Sequence, residues 1–218
     1  MQEQQREQIA RAYRDQEAAR LGIDWPEKVI PVVVPANLRC MVNLPERRKR
    51  AFRDRLMQLL GQAAALRASS VNRTSGDGAQ TPSATWPLMP ETLLARGCSI
   101  CRGRCCNAGQ DHAYVDVATL ESYMQRRPNL RPRHVLADYL SRLPNKAYEE
   151  SCVYHTEKGC NLPHEMRSLT CRDFYCTELW RFQRQFAREA LRQVIYLAAE
   201  GLRMIRAESL EAGRTGPS

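Results

Sequence analysis

The sequence predicts a mainly α fold: a small irregular cysteine-rich core, flanking helices and a long C-terminal helix. Three observations lead there. Apolar residues recur at helical spacing over residues 45–68, and again from 177 to about 210. The β-branched stretch at 28–34 is short and broken by prolines. Eight of the nine cysteines fall between Cys98 and Cys176, with Cys40 alone outside. At 218 residues, 43% hydrophobic and 26% charged, the chain suits one globular domain with extensions, or two small ones.

Taken in order, residues 1–22 read as a polar helix in which Ile9, Ala10, Tyr13 and Ala18 make only a weak stripe. Residues 28–34 suit an extended edge or a loop crossing a surface. A helix over 45–68 starts at Pro45, where a first-turn proline is tolerated, and carries Phe52, Leu56, Leu59, Leu60 and Ala63 on one face. Residues 69–90, dense in Ser, Thr, Gly and Pro, read as a linker. Two short helices are expected at 117–126, with Leu120 and Met124 inward, and at 132–143, with Val135, Leu136, Tyr139, Leu140 and Leu143 inward. The last helix, 177–210, has Thr177 as N-cap. Its apolar face is Leu179, Phe182, Phe186, Ala190, Val194, Leu197, Ala198 and Ile205, and its basic stripe is Arg181, Arg184, Arg188 and Arg192. Trp25, Trp86 and Trp180 read as packing anchors. The expected division is a helical extension over 1–68, the linker 69–90, a cysteine-cluster domain over 91–176, and a helix over 177–210 packing on that core or on a second copy.

Net charge is +9, and 29 of the 33 basic residues are arginine. The excess is spread, +5 over residues 1–90 and +4 over 91–218, which fits genome composition better than a dedicated nucleic-acid surface. The densest run, Glu46-Arg47-Arg48-Lys49-Arg50, reads as a solvated helix face, since no aromatic platform for single strands is interleaved with it. No apolar run approaches the roughly 20 residues needed to cross a bilayer. Residues 1–20 lack the apolar middle of a signal peptide, so the expectation is a cytoplasmic protein with no membrane contact.

In a reducing compartment clustered cysteines argue for metal rather than disulfides. The first group is Cys98, Cys101, Cys105 and Cys106; the second is Cys152, Cys160, Cys171 and Cys176. The C-x2-C turn of Cys98 and Cys101 brings two sulfurs to one metal, and Gly103 supports the bend that follows. In extended chain the adjacent Cys105 and Cys106 point to opposite faces and serve different centres. Two metal sites side by side, or one iron–sulfur cluster with spare thiols, both satisfy the eight, and the spacing departs from both ferredoxin runs. Arg96, Arg102, Arg104, Lys158, Arg167 and Arg172 flank the cysteines and offset thiolate charge. His155, His164 and His112 compete as ligands; His134 reads as a helix-surface residue and Cys40 as a buried or free thiol.

These residues resemble the bacterial YkgJ-like cysteine-cluster family, described as a zinc- or iron-chelating domain. Its C-x2-C-x2-C-C cluster is matched by Cys98, Cys101, Cys105 and Cys106. Its later Cys, Cys and Arg-Pro-x-x-Cys-Arg-x-Phe elements are matched by Cys152, Cys160, Arg167, Cys171, Arg172 and Phe174, with Cys176 beyond. The likeness covers residues 98–176. This chain departs from the pattern in having three residues before the Cys pair, and Ser168 where the family has proline. A similar module accompanies flagellin lysine methylation in some proteins, so the resemblance implies metal, zinc or iron, without implying a reaction.

Three functions follow in order of support. The first is a metal-binding protein of structural or storage type, which meets a protein partner or a second copy through its last helix. The second is an iron–sulfur redox or protein-modifying enzyme. The third is a zinc-dependent nucleic-acid-binding module. The chain has no G-x-S-x-G, Gly-rich phosphate loop or H-E-x-x-H to identify an enzyme. Glu165 and Asp173 are the candidate bases beside a metal-bound water, with helix capping or pairing to Arg167 and Arg172 the preferred role for each.

Overall fold

The structure, a computed structural model, describes residues 2–20, 22–24, 26–70, 91–186 and 193–211. In chain order its regular elements are α1 (Gln2–Arg20), β1 (Val29–Pro35), β2 (Met41–Asn43), α2 (Glu46–Ser70), α3 (Glu91–Cys101), α4 (Val117–Gln125), α5 (Pro132–Ser141), β3 (Lys146–Tyr148), β4 (His155–Thr156), β5 (Gly159–Cys160), α6 (Leu169–Asp173), α7 (Thr177–Phe186), β6 (Gln193–Glu200) and β7 (Arg203–Glu211). They gather into two compact units. One comprises Met1–Asn37, Ala84–Arg104 and Tyr175–Ser218; the other comprises Leu38–Ser83 and Cys105–Phe174. The units cut across the segments expected from the sequence, since residues 1–68 and 91–176 are each shared between them.

The first unit is built on a three-stranded sheet in the order β1–β6–β7. β6 runs parallel to β1 and antiparallel to β7. Its run Val194-Ile195-Tyr196-Leu197-Ala198-Ala199 is buried throughout, which is what a central strand covered on both faces requires. On one face Val29, Ile195 and Leu197 pack with Ala10 of α1. On the other, Ile30, Val32, Val34, Val194, Tyr196 and Ala198 pack with Leu93, Leu94 and Ile100 of α3 and Leu179 and Phe182 of α7. β1 lies at a sheet edge, the place where Pro31 and Pro35 cost no ladder bond to a second neighbour.

This unit overturns the mainly α prediction and its long C-terminal helix. α7 is described only to Phe186, and the chain from Gln193 onward forms strands. A short apolar run fits a helical period and a buried strand equally well, and β-branched Val194 and Ile195 with Tyr196 favour the strand. Gly201, at φ +58°, opens the two-residue turn into β7 with the left-handed backbone such a tight hairpin needs. Among the described residues the expected long apolar helix face is not formed: Leu179 and Phe182 of α7 pack on the sheet, and Val194, Leu197, Ala198 and Ile205 lie on its strands. Arg188, Ala190 and Arg192, like Trp25, Trp86 and residues 71–90 of the expected linker, lie outside the described residues. Trp180, expected as a packing anchor, is 49% exposed.

In the second unit α2 presents Phe52, Leu56, Leu60 and Ala63 to Leu120, Tyr123 and Met124 of α4 and to Val135 and Tyr139 of α5. The Asp116 carboxylate caps α4 by accepting the Thr119 N–H at 2.8 Å. Val153, Tyr154, Leu162 and Met166, from irregular chain, complete this core. Its buried tyrosines are satisfied: Tyr154 donates to the Tyr139 carbonyl at 2.7 Å, and Tyr139 to the Met166 carbonyl at 2.8 Å. The cysteines form no separate compact core. Cys152, Cys106 and Cys160 pack on this hydrophobic cluster, while Cys101 and Cys176 pack on that of the first unit.

Candidate metal centre

In the first unit Cys98 and Cys101 end α3, three residues apart and so on one helix face. The carbonyls at that helix end are held from a distance in sequence. The Asn37 backbone N–H donates to the Cys101 carbonyl at 2.9 Å and its side chain to the Arg102 carbonyl at 3.0 Å. Arg206 of β7 donates to the Ile100 carbonyl at 2.9 Å, placing a cation at the negative end of the helix. The Cys101 sulfur accepts the Arg104 N–H at 3.3 Å.

Cys176 immediately precedes α7, whose first-turn Leu179 N–H favours its ionised form. Burial outweighs that bond and pushes the thiol up to about 11, with Glu178 and then Cys101 raising it further. α3 and α7 meet at Gly97, where an added Cβ would lie 2.5 Å from Leu179 Cδ2. The missing side chain thus sets the approach of the helix ends that bear these three thiols.

In the second unit Cys105 and Cys106 lie on a 3-10 turn, Arg104–Gly109. The extended chain that would point them to opposite faces is not formed there, and a turn does not alternate as a strand does. The two thiols act on each other: the Cys105 thiol is lowered to about 7 by its neighbour Cys106, and that of Cys106 is raised by Cys105 and by burial. The Cys152 N–H donates to the Cys106 carbonyl at 3.0 Å, and Val153 N–H to the Gln110 carbonyl at 2.9 Å. A Cβ on Gly109 would stand 3.0 Å from Cys152 Cβ, so the two loops are in close contact.

Cys160 pairs with His155 across the β4–β5 hairpin. Arg167 closes the loop beyond it, donating to the Leu162 carbonyl at 2.8 Å and the Cys160 carbonyl at 3.3 Å. Cys171 sits on α6, its N–H capped by Ser168 Oγ at 3.2 Å. Burial pushes Cys152 up to about 12 and raises Cys171; the charges of Cys160 and Cys171 add to the shift at Cys152, those of Cys160 and Cys105 to the shift at Cys171. Five sulfurs from three separate stretches of chain therefore share one neighbourhood. Among the described residues, no group of three or more His, Cys, Asp or Glu donors is arranged to hold a metal ion.

The histidines hold other places. His155 is 2% exposed, with Nδ1 2.7 Å from Ser151 Oγ and its ring against Tyr148. His112 Nδ1 accepts the Tyr114 N–H at 3.0 Å. His134 is exposed on α5 and its Nδ1 faces the Arg131 N–H, while His164 is exposed on a short turn. Glu165 lies 3.6 Å from Arg127 rather than Arg167, and Asp173 is exposed. Cys40 is exposed, and none of the nine cysteines is in a disulfide.

Two groups of residues around the thiols had gone unmarked in the sequence. Asn37 and Arg206 reach the Cys101 turn through tertiary pairing alone and leave no local pattern. Arg48 did leave one: it stands four residues before Phe52, in line with Leu56 and Leu60, on the buried face of α2. At 8% exposure it departs from the solvated face expected of its basic run.

The thiol-rich donor set suits zinc or iron, which take sulfur ligands. Closing on either takes rotation of these side chains, for which the exposed Cys98, Cys105 and Cys171 have room. Described helices include none long and apolar enough to cross a membrane. No family model, no curated protein and no solved structure matches the chain.

Proposed function

We propose that the chain is a cytoplasmic thiolate metal-binding protein of the YkgJ-like cysteine-cluster kind, holding zinc or iron through Cys98, Cys101, Cys105, Cys106, Cys152, Cys160, Cys171 and Cys176. The observation that carries the reading is the convergence of the second unit's cysteine-bearing loops: the Cys152 N–H bonds the Cys106 carbonyl at 3.0 Å, Cys106, Cys152 and Cys160 pack on one cluster, and Cys105 and Cys171 are near enough to act on them electrostatically. Buried cysteine alone is an ordinary small hydrophobe. Five in one neighbourhood, two of them exposed, are more than packing asks for. Bound zinc would supply folding energy, and an iron–sulfur cluster electron transfer.

The departure from the family pattern at Ser168 is sterically neutral. Its φ of −62° is the value a proline ring fixes, and Arg167 before it is extended, as a residue preceding proline must be.

The test is metal analysis with an absorption spectrum, on full chain purified without oxygen or a metal-affinity tag. Zinc with no visible band supports closed thiolate sites. Iron with inorganic sulfide and a broad visible band supports a cluster. Neither metal above trace overturns the reading. Cys101→Ser and Cys171→Ser should each lower metal content and melting temperature; no change in either variant removes the ligand assignment.

A further inference from the structure

Among the described residues Arg48 is the only arginine or lysine that is buried, at 8% exposure. Its Nε donates to Asp111 Oδ1 and its Nη2 to the Ser151 carbonyl, the residue next to Cys152. From there the contacts run through the cysteine loops. Ser151 Oγ meets His155 Nδ1, the His155 N–H donates to the Cys152 carbonyl at 2.9 Å, and the Cys152 N–H donates to Cys106. Asp111, the anionic partner, has a side chain 43% exposed against 10% for Arg48. The pair is thus asymmetric, with the guanidinium inside and the carboxylate toward solvent, and the Arg48 charge is among those that favour the Cys152 thiolate. A divalent metal held by four thiolates carries a net charge of −2, which a low-dielectric surrounding penalises unless a cation is fixed nearby.

We propose that Arg48 is the buried counter-charge of the second unit's thiolate metal site, held in place by Asp111 and the Ser151 carbonyl. The proposal rests on the metal-binding reading above and adds a residue outside the cysteine motif. Arg48 touches no metal; it acts through the loop of Cys152.

The experiment compares the full-length wild type with Arg48→Gln, Arg48→Lys and Asp111→Asn. Zinc affinity is read by competition with a chromophoric chelator, and cobalt(II) is the spectroscopic probe of thiolate coordination. Arg48→Gln should weaken zinc binding ~10–100-fold, the usual range for outer-shell partners of a metal site. Arg48→Lys, which keeps the charge, should recover most of that loss and retain the thiolate-to-cobalt band. Asp111→Asn keeps an Oδ1 acceptor to hold the Arg48 Nε while removing the negative charge, so it should bind zinc at least as tightly as wild type. The melting temperature of each metal-free variant separates loss of charge from loss of fold. Equal losses in Arg48→Gln and Arg48→Lys, or an Asp111→Asn loss matching Arg48→Gln, would overturn the proposal while leaving the metal reading intact. A wild-type chain that takes up neither zinc nor cobalt overturns both.

Discussion

In the first unit Cys98, Cys101 and Cys176 sit at the ends of helices; in the second, Cys105, Cys106, Cys152, Cys160 and Cys171 lie on turns, a two-residue strand and a five-residue helix. The difference decides what fixes each sulfur. Helix-borne thiols go where side-chain packing sends the helix, and the Gly97–Leu179 contact sets that placement. Loop-borne thiols are placed by backbone bonds such as Cys152 to Cys106 and by arginine braces, Arg48 and Arg167. The first set should therefore respond mainly to changes of volume, and the second to loss of polar groups.

The largest effect is expected where the second unit's core is hollowed. Phe52→Ala removes a ring buried to 1% and packed edge-on against Tyr154, at a cost of about 3–5 kcal/mol. Hydrogen exchange should accelerate over 38–70 and 105–174, with β6 amides unchanged; equal loss of protection at β6 would deny the second unit a core of its own. Gly97→Ala comes next, at about 1–3 kcal/mol, because Leu179 is 1% exposed and has little room to yield. Faster exchange at β6 with protection kept in α2 would sharpen the contrast, and an unchanged melting curve would remove packing as the device that places the first set.

Asn37→Ala deletes the bond to the Arg102 carbonyl and should cost about 1–1.5 kcal/mol in thermal melts. A loss above that of Gly97→Ala would show that polar bracing governs the first unit too. The smallest effect is at Ser168. Ser168→Ala loses the Cys171 cap, about 1 kcal/mol, whereas Ser168→Pro gains back part of that through a stiffer unfolded chain. Ser168→Pro melting below Ser168→Ala would contradict the reading of this backbone as one a proline can adopt.

Where structure depends on near neighbours, the sequence was readable. The apolar stripe of α2, the short helices α4 and α5, the proline-marked edge strand β1 and the polar α1 all follow from spacing, β-branching and first-turn chemistry. β6 was misread because its apolar run fits both periods. The arbiter was the pair of faces offered by α1 on one side and α3 with α7 on the other. Arg48 was misread because a charge run usually marks solvent, although its position on the stripe of Phe52 and Leu56 pointed inward.

The sequence by itself determined which atoms are available: eight thiols within 98–176, set among arginines. Tertiary structure alone decided how they divide. Cys101 and Cys105 are four positions apart yet belong to different units, while Cys106 and Cys152 are brought together by a backbone bond across 46 positions. The reason is physical. Spacing constrains sulfurs only within a turn or two of chain, and over longer separations their meeting is set by which hydrophobic faces bury one another and which carbonyls find donors.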